Sequence, residues 1–188
     1  NITTIEGGMI ITNSKGIKDY VTSARNHGLT KTLTQRYSKG KPWDYDMMQL
    51  GYNFRFNEIQ AAIGNSMLKK LQSSNASRRK IAKIYDKNLT EKIIVHKIEK
   101  WATPVYHMYT IRTKERDELQ KFLKKKGIAT GIHYPLPIHK QPVYKKFNKT
   151  KLPITEDIAS TTLSIPMFPN LPNKQQKYVI KNINKFFK

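Results

Sequence analysis

The stretch Gly51-Tyr52-Asn53-Phe54-Arg55-Phe56-Asn57-Glu58-Ile59-Gln60-Ala61-Ala62-Ile63 reads as a tight turn feeding the start of a helix. Gly51 is expected to adopt a backbone conformation that other residues resist. Asn57 is expected to cap the helix, its side-chain oxygen accepting a hydrogen bond from a free amide of the first turn. Asn53 and Arg55 stand just ahead of that helix, where unpaired amides and a partial positive charge gather. A turn of this kind with an arginine suits an anion, most often a phosphate. An ordinary N-capped helix satisfies the same pattern.

The rest of the chain bounds what such a turn can belong to. Its 188 residues suit one domain, or one domain with an appendage. No apolar run approaches the roughly 20 residues that span a bilayer. Asn1 to Gly8 has no basic stretch followed by an apolar one, so no secretory leader is read there. The absence of cysteine excludes disulfides, thiolate metal sites and a cysteine nucleophile, and is in keeping with a reducing cytoplasm, the expected compartment. The net charge of +22 raises the alternative of a polyanion-binding protein. That charge, however, is carried by 28 lysines and only 7 arginines, and its densest run is Lys124-Lys125-Lys126. Readers of nucleic acid rely on arginine forks and on aromatics interleaved with the charge. Scattered lysine alongside abundant Asn and Ile reads as compositional bias, and a nucleic-acid partner is not expected.

Along the chain, Met9-Ile10-Ile11-Thr12 is β-rich and bounded by Gly7-Gly8 and Asn13-Ser14, so a buried strand is expected. Ser14 is expected to cap a helix over 15–26, with Ile17, Tyr20, Val21 and Ala24 on one face and Gly28 as its end. Residues 29–49 carry neither a helical nor a strand period. They read as a long functional loop whose aromatics Tyr37, Trp43 and Tyr45 argue against plain disorder. Ile59, Ala62, Ile63, Met67 and Leu71, then Ile81, Ile84 and Tyr85, give two helices or one kinked helix over 58–72 and 76–89, interrupted at Ser73-Ser74-Asn75. Beyond residue 90 come expected strands at 93–95, 104–112, 128–133 and 163–166. Helices are expected at 115–126, 154–162 and 173–187, the first with Leu119, Phe122 and Leu123 inward and Gly127 as its stop. This alternation builds an α/β sandwich around a small sheet. Pro135, Pro137 and Pro142 forbid helix and central strand between His133 and Tyr144, leaving an ordered loop.

Five histidines are the first candidates for acid–base work. His96 is expected at a strand edge on the surface, and His107 in a satisfied structural role among core residues. His133 and His139 flank the proline-stiffened loop, the kind of frame that holds ligand groups. Their spacing is not a metal pattern, and no carboxylate stands nearby in sequence, so zinc is not expected. No Ser-His-Asp signature, P-loop or dinucleotide fingerprint is present.

Five blocks occur in one order: Glu6-Gly7-Gly8-Met9-Ile10-Ile11-Thr12-Asn13; Arg25-Asn26-His27-Gly28; Leu50-Gly51-Tyr52-Asn53-Phe54-Arg55 with Gln60-Ala61-Ala62; Tyr106-His107-Met108-Tyr109-Thr110-Ile111-Arg112; and Gly131-Ile132-His133-Tyr134-Pro135-Leu136-Pro137-Ile138-His139-Lys140-Gln141-Pro142. Together they resemble the C-terminal half of the DegT/DnrJ/EryC1/StrS sugar aminotransferases, over essentially the whole chain. The resemblance implies an α/β fold, the C-terminal portion of a fold type I pyridoxal-phosphate-dependent transferase. Residues 1–57 would be the end of the large cofactor-binding domain with an active-site loop, 58–90 long connecting helices, and 91–188 a small α/β domain. It implies pyridoxal 5'-phosphate as cofactor and a homodimer whose active site is shared between subunits. The implied reaction moves an amino group from glutamate or glutamine to a keto group of a nucleotide-linked sugar, with no membrane partner. Non-catalytic or regulatory relatives also exist within the resemblance.

By the same resemblance, Asn53 reaches the cofactor phosphate of the partner subunit and Arg55 assists in phosphate binding. His133 and Tyr134 line the sugar-nucleotide pocket with His139 in support, and His27, Trp43 and Tyr45 border the same cleft. Asn57 replaces the usual Asp or Thr but keeps the capping chemistry. No metal ligand is implied. The lysine that the family bonds to its cofactor, and then uses as general acid–base, would fall immediately before Asn1. Three accounts follow: a chemically modified lysine precedes Asn1 in the molecule, the chain is a split or cleaved half, or it is a degenerate fragment. The first is expected to give an intact mass about twice the 21.9 kDa of these residues; a measured mass near 21.9 kDa excludes it.

Overall fold

The computed structural model describes every residue except 30, 32, 39–42 and 44. The chain divides into two units, Ile2–Lys69 and Lys70–Lys188, the second joined by Asn1. The Asn1 side-chain amide donates to Asn75 Oδ1 and to the Val105 carbonyl, both at 2.7 Å.

In the first unit, helix α1 (Lys15–Ala24) starts where expected: Ser14 has extended backbone and its hydroxyl accepts from the Ile17 amide. The helix ends as both Asn26 N and Gly28 N donate to the Ser23 carbonyl at 2.9 Å, with Gly28 at φ +71°. Ile17 and Tyr20 are exposed. A six-residue helix α2 (Leu33–Ser38) occupies part of the stretch expected to be loop. The remainder of that expected loop falls partly on residues outside the described set. Residues 9–12 form no strand; Met9, Ile10 and Ile11 are 83%, 63% and 89% exposed. The apolar run suits a strand, but a strand exists only where a second backbone accepts its hydrogen bonds, and among the described residues none lies beside this one.

Helix α3 (Glu58–Asn88) is one element of 31 residues. The expected break at residues 73–75 does not occur, because polar residues cost a helix little where the turn-to-turn ladder continues. Ser73 instead returns its hydroxyl to the Lys70 carbonyl at 2.9 Å.

The second unit is built on three antiparallel strands in spatial order β1 (Ile94–Val95), β2 (Tyr109–Arg112), β3 (Thr162–Ile165). The register sets Val95 against Ile111, Tyr109 against Ile165, and Ile111 against Leu163. Strand alternation therefore sends Tyr109 and Ile111 to one face. They join a buried cluster with Ile81, Ala82 and Tyr85 of α3, Leu119 and Leu123 of α4 (Arg116–Lys125), and Val179, Ile180 and Ile183 of the terminal helix. Burying each such side chain contributes about 1.5–3 kcal/mol. Helix α4 ends on Gly127 at φ +70°, with Ile128 N donating to Leu123 O and Gly127 N to Lys124 O, both at 3.0 Å. Phe122, expected inward, packs against the cluster only partly buried. Helix α5 (Pro153–Thr161) opens with proline in its first turn. In α6 (Asn173–Phe186), the buried Gln176 donates its amide to the Ile81 carbonyl at 2.8 Å.

Two expected strands shrink. Only 109–112 of the 104–112 run pairs, because Tyr106 has φ +44° and the three carbonyls of Tyr106, His107 and Met167 are gathered by the Arg78 guanidinium. His107 is accordingly exposed rather than set among core residues. Residues 128–133 give one isolated bridge, Gly131 to Ser164, in place of a strand. Ile111→Ala is expected to lower stability by about 2–5 kcal/mol, read from urea denaturation, whereas Lys174→Ala on the exposed side of α6 should stay within about 0.5 kcal/mol.

Candidate active site

The turn before α3 is held by backbone pairing with the end of α1. Tyr52 N donates to Ala24 O at 2.7 Å, His27 N to Tyr52 O at 2.9 Å, and Phe54 N to Arg25 O at 2.9 Å, so that Asn53 faces Asn26. Two glycines permit this approach. A Cβ on Gly51 would lie 2.1 Å from Gly28 N, and one on Gly28 would lie 1.9 Å from the Gln49 carbonyl oxygen. Gly51 is thus required by space rather than by a left-handed backbone, which corrects the expectation for it. Asn57 caps α3 as expected, its Oδ1 accepting from Gln60 N at 2.9 Å. Gln60 Oε1 returns the bond to Asn57 N at 3.3 Å, a reciprocal capping box. The Gln60 amide also donates to the Glu6 carbonyl at 2.7 Å, tying down the Glu-Gly-Gly turn.

This frame brings Arg55 and His27 together, with Nη2 to Nε2 at 3.3 Å. A guanidinium only donates, so the facing ring nitrogen accepts and the His27 proton sits on Nδ1. No carboxylate pairs with Arg55 among the described residues. Tyr52 and Phe54 stack face to face at 5.0 Å. In the same unit, Arg36 lies over the Tyr45 ring at 4.7 Å, and Trp43 is 73% exposed.

A second cluster lies within the Lys70–Lys188 unit. His133 Nδ1 is 3.0 Å from Ser164 Oγ, and its ring meets Tyr134 edge-on at 5.6 Å. The proline loop is ordered, as expected, and its second half winds into short 3-10 turns at Ile138–Lys140 and Pro142–Phe147. His139 is buried, with Nε2 3.0 Å from Glu156 Oε1. The same oxygen accepts from Leu152 N at 3.2 Å and lies 3.7 Å from Lys140 Nζ. The reading that no carboxylate stands near these histidines is therefore corrected: Glu156 is 17 residues from His139 and comes to it only because α5 folds back on the loop. The hydrogen bond from His139, then that from Leu152, holds the Glu156 carboxyl below the usual carboxylate range.

A cavity of about 330 Å³ in this unit is lined by Asp86, His96, Tyr106, His107, Tyr109 and Thr110, and by none of the pocket residues expected from sequence. The Tyr109 hydroxyl donates to Asp86 at 2.5 Å; burial, then this bond, pushes its phenol up. His96, exposed as expected, lies 2.6 Å from Thr110 Oγ1 through Nε2. Among the described residues no group of His, Asp and Glu could hold a metal ion, and no helix is long and apolar enough to cross a membrane.

Solved structures share this architecture. One is S. venezuelae DesV in complex with a ketimine intermediate, at TM-score 0.83 and 30% identity, covering 94% of this chain and 45% of that one. Another is a DegT DnrJ EryC1 StrS aminotransferase from Brucella abortus, at TM-score 0.81 and 29% identity, covering 93% and 44%. The fold is that of the C-terminal portion of a fold type I pyridoxal-phosphate-dependent transferase. The model of the DegT/DnrJ/EryC1/StrS aminotransferase family matches residues 1–184, and the chain belongs to that family, whose aminotransferases depend on pyridoxal phosphate. Curated relatives include a protein named pleiotropic regulatory protein from Geobacillus stearothermophilus (40% identical, 97% of this chain, 48% of the relative). GDP-perosamine synthase of Escherichia coli O157:H7 is 36% identical over 99% of this chain and 49% of its own length. The chain spans about half the length of the curated relatives it matches.

The depressed Glu156 carboxyl has a pH consequence. A carboxylate with a lowered folded-state value contributes stability above its unfolded value, near 4.3, and loses it as pH falls through the folded value. Acid unfolding of the parent should therefore steepen below about pH 4.3. Glu156→Gln should remove that component and flatten the difference, as followed by circular dichroism across pH.

Proposed function

We propose that this chain is the C-terminal part of a pyridoxal-phosphate-dependent aminotransferase that moves an amino group from glutamate or glutamine to a keto group of a nucleotide-linked sugar. Formation of sugars for surface polysaccharide or other glycans, in the cytoplasm, completes the reading. The observation that carries it is the turn before α3, where paired backbones and two mutually accommodating glycines present Asn53 and Arg55. Both side chains are exposed, both supply donors, and no carboxylate neutralises Arg55 among the described residues. That donor set fits a phosphate. When bound, the pyridoxal group supplies the electron sink and the carrier for the amino group. Asn53 and Arg55 would bind and orient its phosphate. His27, through Nε2, would hold the Arg55 guanidinium in place.

In this reading, residues 1–57 close the large cofactor-binding domain, 58–90 connect, and 91–188 form the small domain. Asn53 serves the cofactor of a partner subunit in a homodimer. His133 and Tyr134 face the sugar nucleotide, His139 supports their loop, and Trp43 and Tyr45 border the same cleft. The family's cofactor lysine is supplied from outside residues 1–188. The exposed Met9, Ile10 and Ile11 support assembly with further protein, since an unsupported apolar run of this kind normally marks an interaction surface.

A second reading, a sugar-nucleotide-binding or regulatory relative without catalysis, is favoured by the name of the 40% identical Geobacillus protein. A protein that binds nucleotide sugar and turns none over would select it. Asn53→Ala is expected to weaken retention of pyridoxal phosphate roughly three- to tenfold, the scale of one ordinary hydrogen bond. Fluorescence titration of the assembled protein with the cofactor measures this. An affinity equal to that of the parent would refute the assignment of Asn53.

A further inference from the structure

We infer that Ser164 is a positioning residue, fixing the imidazole of His133 so that its Nε2–H points outward as the single available donor. The consequence for ligand binding rests on the reading of His133 as a sugar-nucleotide contact; the orientation itself does not. Ser164 occupies the best-anchored place in the small sheet. On one side it pairs with Thr110 of β2. On the other it exchanges two backbone hydrogen bonds with Gly131, at 3.0 and 2.7 Å. Ser164 is itself buried, so its hydroxyl is held at a fixed point rather than swept through solvent.

The imidazole is fixed from two directions. Its Nδ1 lies 3.0 Å from Ser164 Oγ. Its Cε1 lies over Gly131, where a Cβ would stand only 2.5 Å away. Any side chain at 131 would lift the ring from this seat. His133 is otherwise exposed, and an exposed imidazole without these two restraints samples several rotamers. Gly131 and Ser164 therefore act as one device: the glycine gives the ring its place and the hydroxyl sets its rotation.

Proton placement follows from donor counting. The hydroxyl carries one hydrogen, and two acceptors face it: His133 Nδ1 at 3.0 Å and the Met108 sulfur at 3.9 Å. A thioether is a weak acceptor and an imidazole nitrogen a good one. The hydroxyl hydrogen is therefore assigned to Nδ1 and the ring proton to Nε2; the reverse arrangement, Nδ1–H donating to Oγ while the hydroxyl donates to the Met108 sulfur, is the tautomer that would overturn this placement. Nε2 has no partner within the protein among the described residues. An outward N–H donor suits an oxygen-rich ligand, a sugar hydroxyl or a diphosphate oxygen.

The test uses the intact isolated protein, with ¹⁵N-labelled histidine and NMR to read the tautomer of His133, alongside calorimetric titration with UDP, GDP, dTDP and their glucose-linked forms. The parent is expected to show one Nε2–H tautomer. Ser164→Ala should give an averaged mixture, and Ser164→Thr, which keeps the hydroxyl, should restore the parent spectrum. Gly131→Ala, which leaves Ser164 intact, should shift the ring in the same sense as Ser164→Ala. For whichever probe binds, Ser164→Ala and His133→Ala should each weaken affinity roughly three- to tenfold, with no further loss in the double variant. Unchanged His133 resonances in Ser164→Ala overturn the inference. So does a His133→Ala variant that loses affinity while Ser164→Ala keeps it. If the resonances move but His133→Ala binds the probe like the parent, the orienting role of Ser164 stands and the reading of His133 as a ligand contact falls.

Discussion

Apolar burial is distributed very unequally between the two units, and the behaviour of each follows from that. All 16 buried hydrophobic side chains among the described residues lie between Ile81 and Phe187. In Ile2–Lys69 the one buried described residue is Gly28. The second unit has what a small domain needs to order its chain against conformational entropy. The first shows no hydrophobic core among its described residues, and its form there is carried by backbone pairing and capping. The amides of 27, 52 and 54 are satisfied between two strands of chain that only glycine at 28 and 51 lets approach. A unit so built is expected to hold its local geometry where its backbone pairs.

Local chemistry explains which parts of the fold were readable from sequence. Ser14 and Asn57 cap helices because capping is settled within four residues, and Asn57-x-x-Gln60 is itself a capping box legible from spacing alone. Gly127 stops α4 because Ile128 must turn back into the core. The apolar stripe of α6 is periodic and therefore legible. Strands were less so, since a strand depends on a partner that sequence does not name. Met9 to Thr12 has the composition but no partner strand among the described residues, and 128–133 has one bridging residue where a run is expected. The site divides the same way. Asn53, Arg55 and His27 are candidates that sit in contiguous motifs, whereas Glu156 and Ser164 reach His139 and His133 across 17 and 31 residues, a distance no local pattern marks.

Charge and geometry play separate parts. A net charge of +22 spread over scattered lysines produces a field that draws anions toward the whole surface and distinguishes poorly among them. Selectivity needs donors with fixed directions. Arg55 is backed by a histidine nitrogen that can only accept from it, and His133 by a buried hydroxyl 3.0 Å from its Nδ1. In both places an imidazole has one nitrogen committed to the protein. In both, a glycine makes room for the arrangement, Gly51 by admitting the backbone of residues 27–28 and Gly131 by admitting the ring itself. A lysine-rich surface without such places would bind any polyanion with steep salt dependence. If these places bind phosphate-bearing ligands, as the proposed function requires, the same positive field would concentrate them near the oriented donors. Discrimination would then come from the orientation, which salt screens far less than it screens the field.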